Sequence, residues 1–242
     1  MIEVNINCDL GEGTSNEASI MPYIQSCNIA CGGHVGNRNT IAEAIQIALK
    51  NDVAIGAHPS YPDVENFGRV SMSISNEDLV NTIQKQMKLF DEVLSEYDAT
   101  LHHIKPHGAL YNDIAKDDKL AIVFLSAIAD YKNRAAIYVP FGSVVAKKAL
   151  EEGFTIYYEA FADRAYNDDL SLVSRKLPNS LITDKNQVLE QIMHIKNKEA
   201  VISINNKAIP MEAATFCVHS DTENAIEIVE FLYKNFQTAN IG

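Results

Sequence analysis

The chain has 242 residues, 47% hydrophobic and 21% charged, the balance of a globular protein with a sizeable core. Twenty Lys and Arg against 32 Asp and Glu leave a formal net charge of −12, which argues against nucleic acid or an anionic membrane surface as the main partner, because a polyanion needs a basic footprint. No apolar stretch approaches the ~18 residues of a membrane span. Met1 to Asp9 lacks the regions of a secretory signal. Cys8, Cys27, Cys31 and Cys217 form no CxxC pair, so neither a disulfide scaffold nor a zinc ribbon is indicated. The expectation is a reduced, cytoplasmic protein.

In chain order, strand-like runs are expected at Ile2–Ile6, just before Asn28, and at Val53–Ile55, Leu101–Ile104, Ala135–Val139, Phe154–Tyr158, Ala200–Ile204 and Ala214–Val218. Helical periodicity fills the intervals at Thr40–Lys50, Asn76–Tyr97, Lys119–Tyr131, Ser143–Glu152, Lys185–Lys196 and Asp221–Asn235. In the second helix Leu79, Ile83, Met87, Phe90 and Leu94 form one apolar stripe, and Ser75 with Asp78 makes a capping pair. The longest polar stretch, Asp163 to Asn186, still carries Tyr166, Leu170, Leu172, Val173 and Leu177 and reads as a long ordered excursion. Strands and helices in strict turn imply an α/β protein with a parallel sheet. Seven or eight such units fit a closed or nearly closed (β/α)7-type barrel, in one domain over residues 1–242, better than a doubly wound sheet.

Polar residues gather at the strand ends. Asn5, Asn7, Asp9 and Glu12 follow the first strand; Asn28, Cys31 and His34 the second; His58 and then Arg69 the third; Lys105 and His107 the fourth. Glu159, Asp163, Arg164 and Tyr166 follow Phe154–Tyr158, and His219 follows the last strand. In a parallel barrel these loops open on one C-terminal face, where such folds carry their active sites. Each group also has a structural alternative. Asn7 and Asp9 can end a strand and cap the next element, Lys105 to Gly108 can be a plain turn, and Arg164 can pair locally with Asp163. His102 and His194 are read as structural, with either His102 or His103 joining the mouth.

The usual nucleotide and hydrolase signatures are missing. Gly11-x-Gly13 has Asn16 where a third glycine belongs, and neither GxxxxGK[ST] nor Gly-x-Ser-x-Gly occurs. Asp9, His34 and His58 are the natural trio for a divalent metal. The competing use is metal-free chemistry, with Asp9 or Glu12 as base and Lys105, His107 or Arg164 stabilising negative charge on a carbonyl oxygen. Residue types alone leave both open.

The strings Asn7-Cys-Asp-Leu-Gly-Glu12, Asn28-Ile-Ala-Cys-Gly-Gly-His34, Gly56-Ala-His-Pro59, Phe67-Gly-Arg69, Lys105-Pro-His-Gly-Ala-Leu-Tyr-Asn112, Glu159-Ala-Phe-Ala-Asp-Arg-Ala-Tyr166 and Cys217-Val-His219 resemble the LamB/YcsF family, in order and over nearly the whole chain. Two positions depart from the family pattern: Val70 where a second arginine is usual, and Ser220 where glycine is usual. The resemblance implies a seven-stranded barrel related to the glycoside hydrolase and polysaccharide deacetylase barrels. It implies the reaction 5-oxo-L-proline + ATP + 2 H2O → L-glutamate + ADP + phosphate, with ATP as cosubstrate and two partner subunits, B and C. A divalent metal, either magnesium with ATP or a bound transition metal, is compatible with it. On this reading Asp9, Glu12, Lys105, His107, Asp163 and Arg164 are the catalytic candidates. Asn7, Asn28, His58, Arg69, Glu159 and His219 are the candidates to bind substrate. The alternatives are a metal-dependent N-acyl sugar deacetylase and a non-catalytic substrate-binding subunit.

Overall fold

The computed structural model describes residues 4–14 and 16–238. Strands β1 (Asn5–Leu10), β2 (Ser26–Ala30), β3 (Ala54–His58), β4 (His103–Ile104), β5 (Ala136–Pro140) and β6 (Ile156–Phe161) pair in parallel, in chain order. A small antiparallel hairpin, β7 (Ala200–Ile202) and β8 (Ala208–Pro210), follows outside this sheet. Strand β9 (Thr215–Cys217) then pairs in parallel with both β6 and β1 and closes a seven-stranded barrel. Around it lie helices α1 (Glu17–Ile20), α2 (Arg38–Lys50), α3 (Asn76–Ser95), α4 (Gly108–Ile114), α5 (Asp118–Ala127), α6 (Val144–Glu151), α7 (Lys185–Lys198) and α8 (Ala225–Thr238). Among the described residues no helix is long and apolar enough to cross a membrane.

Strand β1 explains how this barrel is built. Side chains alternate between the two faces of a strand. Ile6, Cys8 and Leu10 join the apolar layer, while Asn7 and Asp9 reach across the interior to Thr215, Asn28 and Lys105. Asn5, Asn7 and Asp9 therefore lie on the first strand, not after it as expected. The strand runs from Asn5 to Leu10 instead of Ile2–Ile6, whose first two residues lie outside the described ones. The reason is physical: parallel strands normally read as apolar runs because both faces pack against apolar layers, and here the inner face is buried but polar. For the same reason β3 extends to His58 and β6 to Phe161, placing His58 and Glu159 on strands.

Helix α3 matches its expected stripe, with Leu79, Ile83, Met87, Phe90 and Leu94 all buried. The Ser75 hydroxyl accepts from the Asp78 N–H at 3.1 Å, as its capping role requires. Two expectations need correction. Ala200–Ile204 is no barrel strand: Asn206 turns the chain with φ 58°, and Ile202 and Ile204 are 43% and 41% exposed. Lys105 to Gly108 is more than a turn, because Gly108 opens helix α4. Gly108 has φ +56° and lies so close to Gly68 that a Cβ would stand 2.5 Å from the Gly68 carbonyl oxygen, which makes glycine necessary there.

Gly56 is the other required glycine. It is in register with Asn28 on one side and His103 on the other, and the His103 imidazole fills the space where its Cβ would be. That ring stacks 3.8 Å from Tyr138 at 8° and bonds Asn28 Oδ1 through Nε2 at 2.6 Å. Gly56→Ala is expected to lower stability by about 1–3 kcal/mol through overpacking, read as a lower urea midpoint at unchanged slope. An unaltered midpoint would contradict this packing.

Candidate active site

The floor of the barrel mouth is organised by Lys105, which is 1% exposed. Its Nζ donates to Asp9 Oδ1 at 2.9 Å, Asn7 Oδ1 at 3.3 Å and Cys217 Sγ at 3.2 Å, and stands 2.9 Å from Glu159 Oε1. Burial alone would strip its proton, but Asp9, Cys217 and Glu159 outweigh that and hold its pKa well above the usual value. Asp9 mirrors this. Burial pushes its carboxyl up, and His58 and Lys105 override burial to hold it well below the usual range. Burial keeps Cys217 a thiol, its pKa pushed well up. Glu159 is 1% exposed, and neither of its oxygens makes an aligned hydrogen bond within the protein. The Tyr111 hydroxyl beside it is in the same position, its pKa pushed well up by burial and the Glu159 charge.

Above Asp9 three buried imidazoles meet Glu12. His34 stacks on His107 with centroids 3.7 Å apart and planes 1° apart, and His58 stands edge-on to both. His58 Nε2 lies 2.9 Å from His107 Nδ1 and 3.5 Å from Asp9 Oδ2. Glu12 Oε1 lies 3.0 Å from His34 Nε2 and 3.3 Å from His107 Nδ1. Burial lowers the pKa of His34, and burial with its two histidine neighbours lowers that of His107 well below the ordinary value.

At the rim, Asp163 accepts from the His219 backbone N–H at 2.9 Å and from the Thr222 hydroxyl, with the His219 ring 3.0 Å away. Burial raises its carboxyl pKa, but the His219 ring and these hydrogen bonds prevail and lower it. Arg164 does not pair with Asp163. Its guanidinium donates to the carbonyls of Val173 at 2.7 Å and Ser180 at 3.3 Å, tying down the long excursion that bridges back through Tyr166 and Leu172. Arg69 and Arg175 share the Asp221 carboxylate, at 2.6 and 3.2 Å.

One cavity of about 730 Å³ opens over this floor. Of the expected residues, Asp9, Glu12, His58, Arg69, Lys105, His107, Glu159, Arg164 and His219 line it. Asn7 and Asn28, expected to touch substrate, are fully buried beneath the floor. There the Asn28 amide donates to Asn7 Oδ1 and Asp9 Oδ1, both at 2.8 Å, so these residues position Asp9. His34 and Asp163 lie behind the wall. The anticipated Asp9, His34, His58 trio separates: Asp9 and His58 converge with His107, and His34 converges with Glu12 and His107. Of the two neighbouring histidines, His103 is the interior one, below the mouth. Sequence reasoning missed Tyr111 and Cys217 as mouth residues, because a buried tyrosine in a helix and a cysteine in a strand look like core. At Ser220 the backbone is not left-handed, so the position does not require glycine.

Together these features define a parallel β/α barrel with a carboxylate, lysine and histidine site at its C-terminal mouth. The chain matches the LamB/YcsF family over residues 4–242 and belongs to it. It is 38% identical over 233 residues to a chain named as the A subunit of 5-oxoprolinase from Staphylococcus aureus (strain MRSA252), covering 94% of this chain and 93% of that one. It also resembles the crystal structure of the lactam utilization protein from Thermus thermophilus, with a TM-score of 0.91, 30% identity, and coverage of 99% and 98% of the two chains.

Asp163 supplies a pH prediction. Its folded-state pKa is depressed, so its contribution is complete above the unfolded aspartate value, near ~3.9, and is lost as pH falls through the folded value. Urea midpoints measured from pH 6 down to pH 3 should fall less steeply for Asp163→Asn than for the parent chain. Parallel curves would remove Asp163 from the acid response.

Proposed function

We propose that the chain is the A component of an ATP-dependent 5-oxoprolinase, opening the lactam of 5-oxo-L-proline to L-glutamate together with the B and C subunits. The observation that carries this reading is the near full-length likeness to chains named as the A subunit of 5-oxoprolinase. The site chemistry supports it. A five-membered lactam is an unstrained amide, and opening it needs an activated carbonyl, a water aimed at it and a place for the negative charge that develops on oxygen.

In this reading Lys105 faces the developing charge, as an ammonium held in place before the reaction begins. Glu159, with both oxygens free of aligned hydrogen bonds, accepts the lactam N–H, and the Tyr111 hydroxyl donates beside it. Asp9 and Glu12 take the proton of the attacking water. The substrate carboxylate exchanges for Asp221 on Arg69 and Arg175 at the rim. ATP supplies the driving force from a partner subunit, consistent with the absence of GxxxxGK[ST] from this chain, and the activated lactam is opened here.

Asp9→Asn and Lys105→Ala, each purified and assembled with the partner subunits, should release glutamate at least ~100-fold more slowly. A near-parent rate from either folded, assembled variant would remove that residue from the chemistry.

A further inference from the structure

The histidine cluster has a hydrogen-bond balance that the mouth chemistry above does not use. A carbonyl oxygen can only accept, so the ring nitrogen facing it must carry the proton. His58 Nδ1 faces the Lys105 carbonyl at 2.8 Å, and His107 Nε2 faces the Phe67 carbonyl at 2.9 Å. His34 Nδ1 faces Ser60 Oγ at 2.9 Å, and that hydroxyl gives its own proton to the Tyr61 carbonyl at 2.9 Å. Each ring is thereby fixed in one tautomer by its outward nitrogen. The inward atoms, His58 Nε2, His107 Nδ1 and His34 Nε2, are left as lone pairs. They converge with Glu12 Oε1 and Asp9 Oδ2, so five acceptors point at one another with no proton among them.

Charge and spacing together say what belongs between them. Asp9, Glu12 and Glu159 are carboxylates on nearly or fully buried side chains and Lys105 is the ammonium among them, so the floor is two charges negative while the rings are neutral. As for spacing, first-row divalent ions bind imidazole and carboxylate at about 2.0–2.2 Å, which sets neighbouring donors roughly 2.9–3.6 Å apart and opposite donors about 4 Å apart. The observed separations are 2.9 Å for His58 to His107, 3.5 Å for His58 to Asp9, 3.3 Å for His107 to Glu12 and 4.0 Å for His58 to Glu12. Two excess protons would balance the charge only by putting positive charge on two of three rings packed together out of water. A single divalent ion does so with every ring neutral. Outward N–H groups held by backbone carbonyls are also how metal-ligating histidines are oriented.

We infer that His58 Nε2, His107 Nδ1, Asp9 Oδ2 and Glu12 Oε1 form a binding site for one divalent transition-metal ion, with His34 holding Glu12 in place. Nitrogen and oxygen donors without a thiolate suit zinc, manganese, iron(II) or cobalt. The site adjoins Lys105 and rests on the proposed lactam chemistry only for its use, which is Lewis-acid polarisation of an amide oxygen or a water. The inference replaces the trio expected from sequence by a set that includes His107 and Glu12.

The test is metal binding to the full chain, purified without chelator and then stripped and titrated with cobalt(II). The expected result is about one equivalent of a first-row metal as purified, and a cobalt(II) absorption spectrum that saturates at one equivalent. Binding should weaken at least ~100-fold in His58→Ala and in His107→Ala and be retained in His194→Ala, with circular dichroism verifying that each variant is folded. Less than about a tenth of an equivalent, with no cobalt(II) uptake by the folded parent chain, would overturn the site. So would parent-like binding in both folded mouth variants. The parent result needs no variant to fold. Metal is read on this chain alone and glutamate release on the assembled mixture, so a failed site and a failed lactam reading give different results.

Discussion

An ammonium sealed inside a barrel between two carboxylates is the constraint from which the site follows. Lys105 sits just beyond the end of β4, Asp9 on β1 and Glu159 on β6, and only closure of the barrel by β9 brings both carboxylates within 2.9 Å of the Lys105 nitrogen. Taking such charges out of water is costly, and the cost is offset only when each has a close opposite charge and its remaining donors are engaged. Lys105 meets that condition with an amide oxygen and a thiol as further acceptors. Asp9 meets it through the Asn28 amide and Lys105 on one oxygen and His58 near the other. Glu159 meets it only through charge, which leaves its hydrogen-bonding capacity for something that enters the cavity.

The interior is layered about this group. Barrels of this kind are usually filled by branched apolar side chains. Here the level below Lys105 is a polar lattice of Asn7, Asn28, Thr215 and His103, with the Tyr138 ring against His103. The lattice is rigid because nearly every donor and acceptor in it has a partner, so it fixes Asp9 without itself meeting the cavity. Above Lys105, the imidazoles of His34, His58 and His107 form a second ordered layer anchored outward on Ser60 Oγ and two backbone carbonyls. The excursion from Asp163 then forms one wall of the mouth, held by Arg164 through carbonyls of its own loop.

Much of this was legible in the sequence. The alternation of elements reads directly as a β/α barrel, since helix stripes such as Leu79 to Leu94 and strands such as Ala135–Val139 are set by periodicity. The grouping of Asp9, His58, Lys105, His107 and Glu159 at one face follows from their positions at strand ends. What escaped has a common cause. Strand limits were misplaced at β1 and β6 because interior-facing Asn, Asp and Glu mimic loop residues when only hydropathy is read. Asn7 and Asn28 looked like ligand contacts for the same reason and proved to be supports. Ala200–Ile204 has a strand's composition, and only tertiary pairing with Ala208–Pro210 shows that it lies outside the barrel. The tautomers of the three histidines depend on carbonyls of Lys105 and Phe67 and on Ser60, contacts across chain distances that no local pattern carries.

Membership of the LamB/YcsF family and the architecture of the mouth converge on amide chemistry performed in an assembly. The measurement that tests this most directly is glutamate release from 5-oxo-L-proline and ATP by this chain with purified B and C subunits, together and with each omitted. Release is predicted only from the complete mixture. Full-rate release by the B and C subunits without this chain would contradict the proposed role, and would make the barrel a bystander to the chemistry.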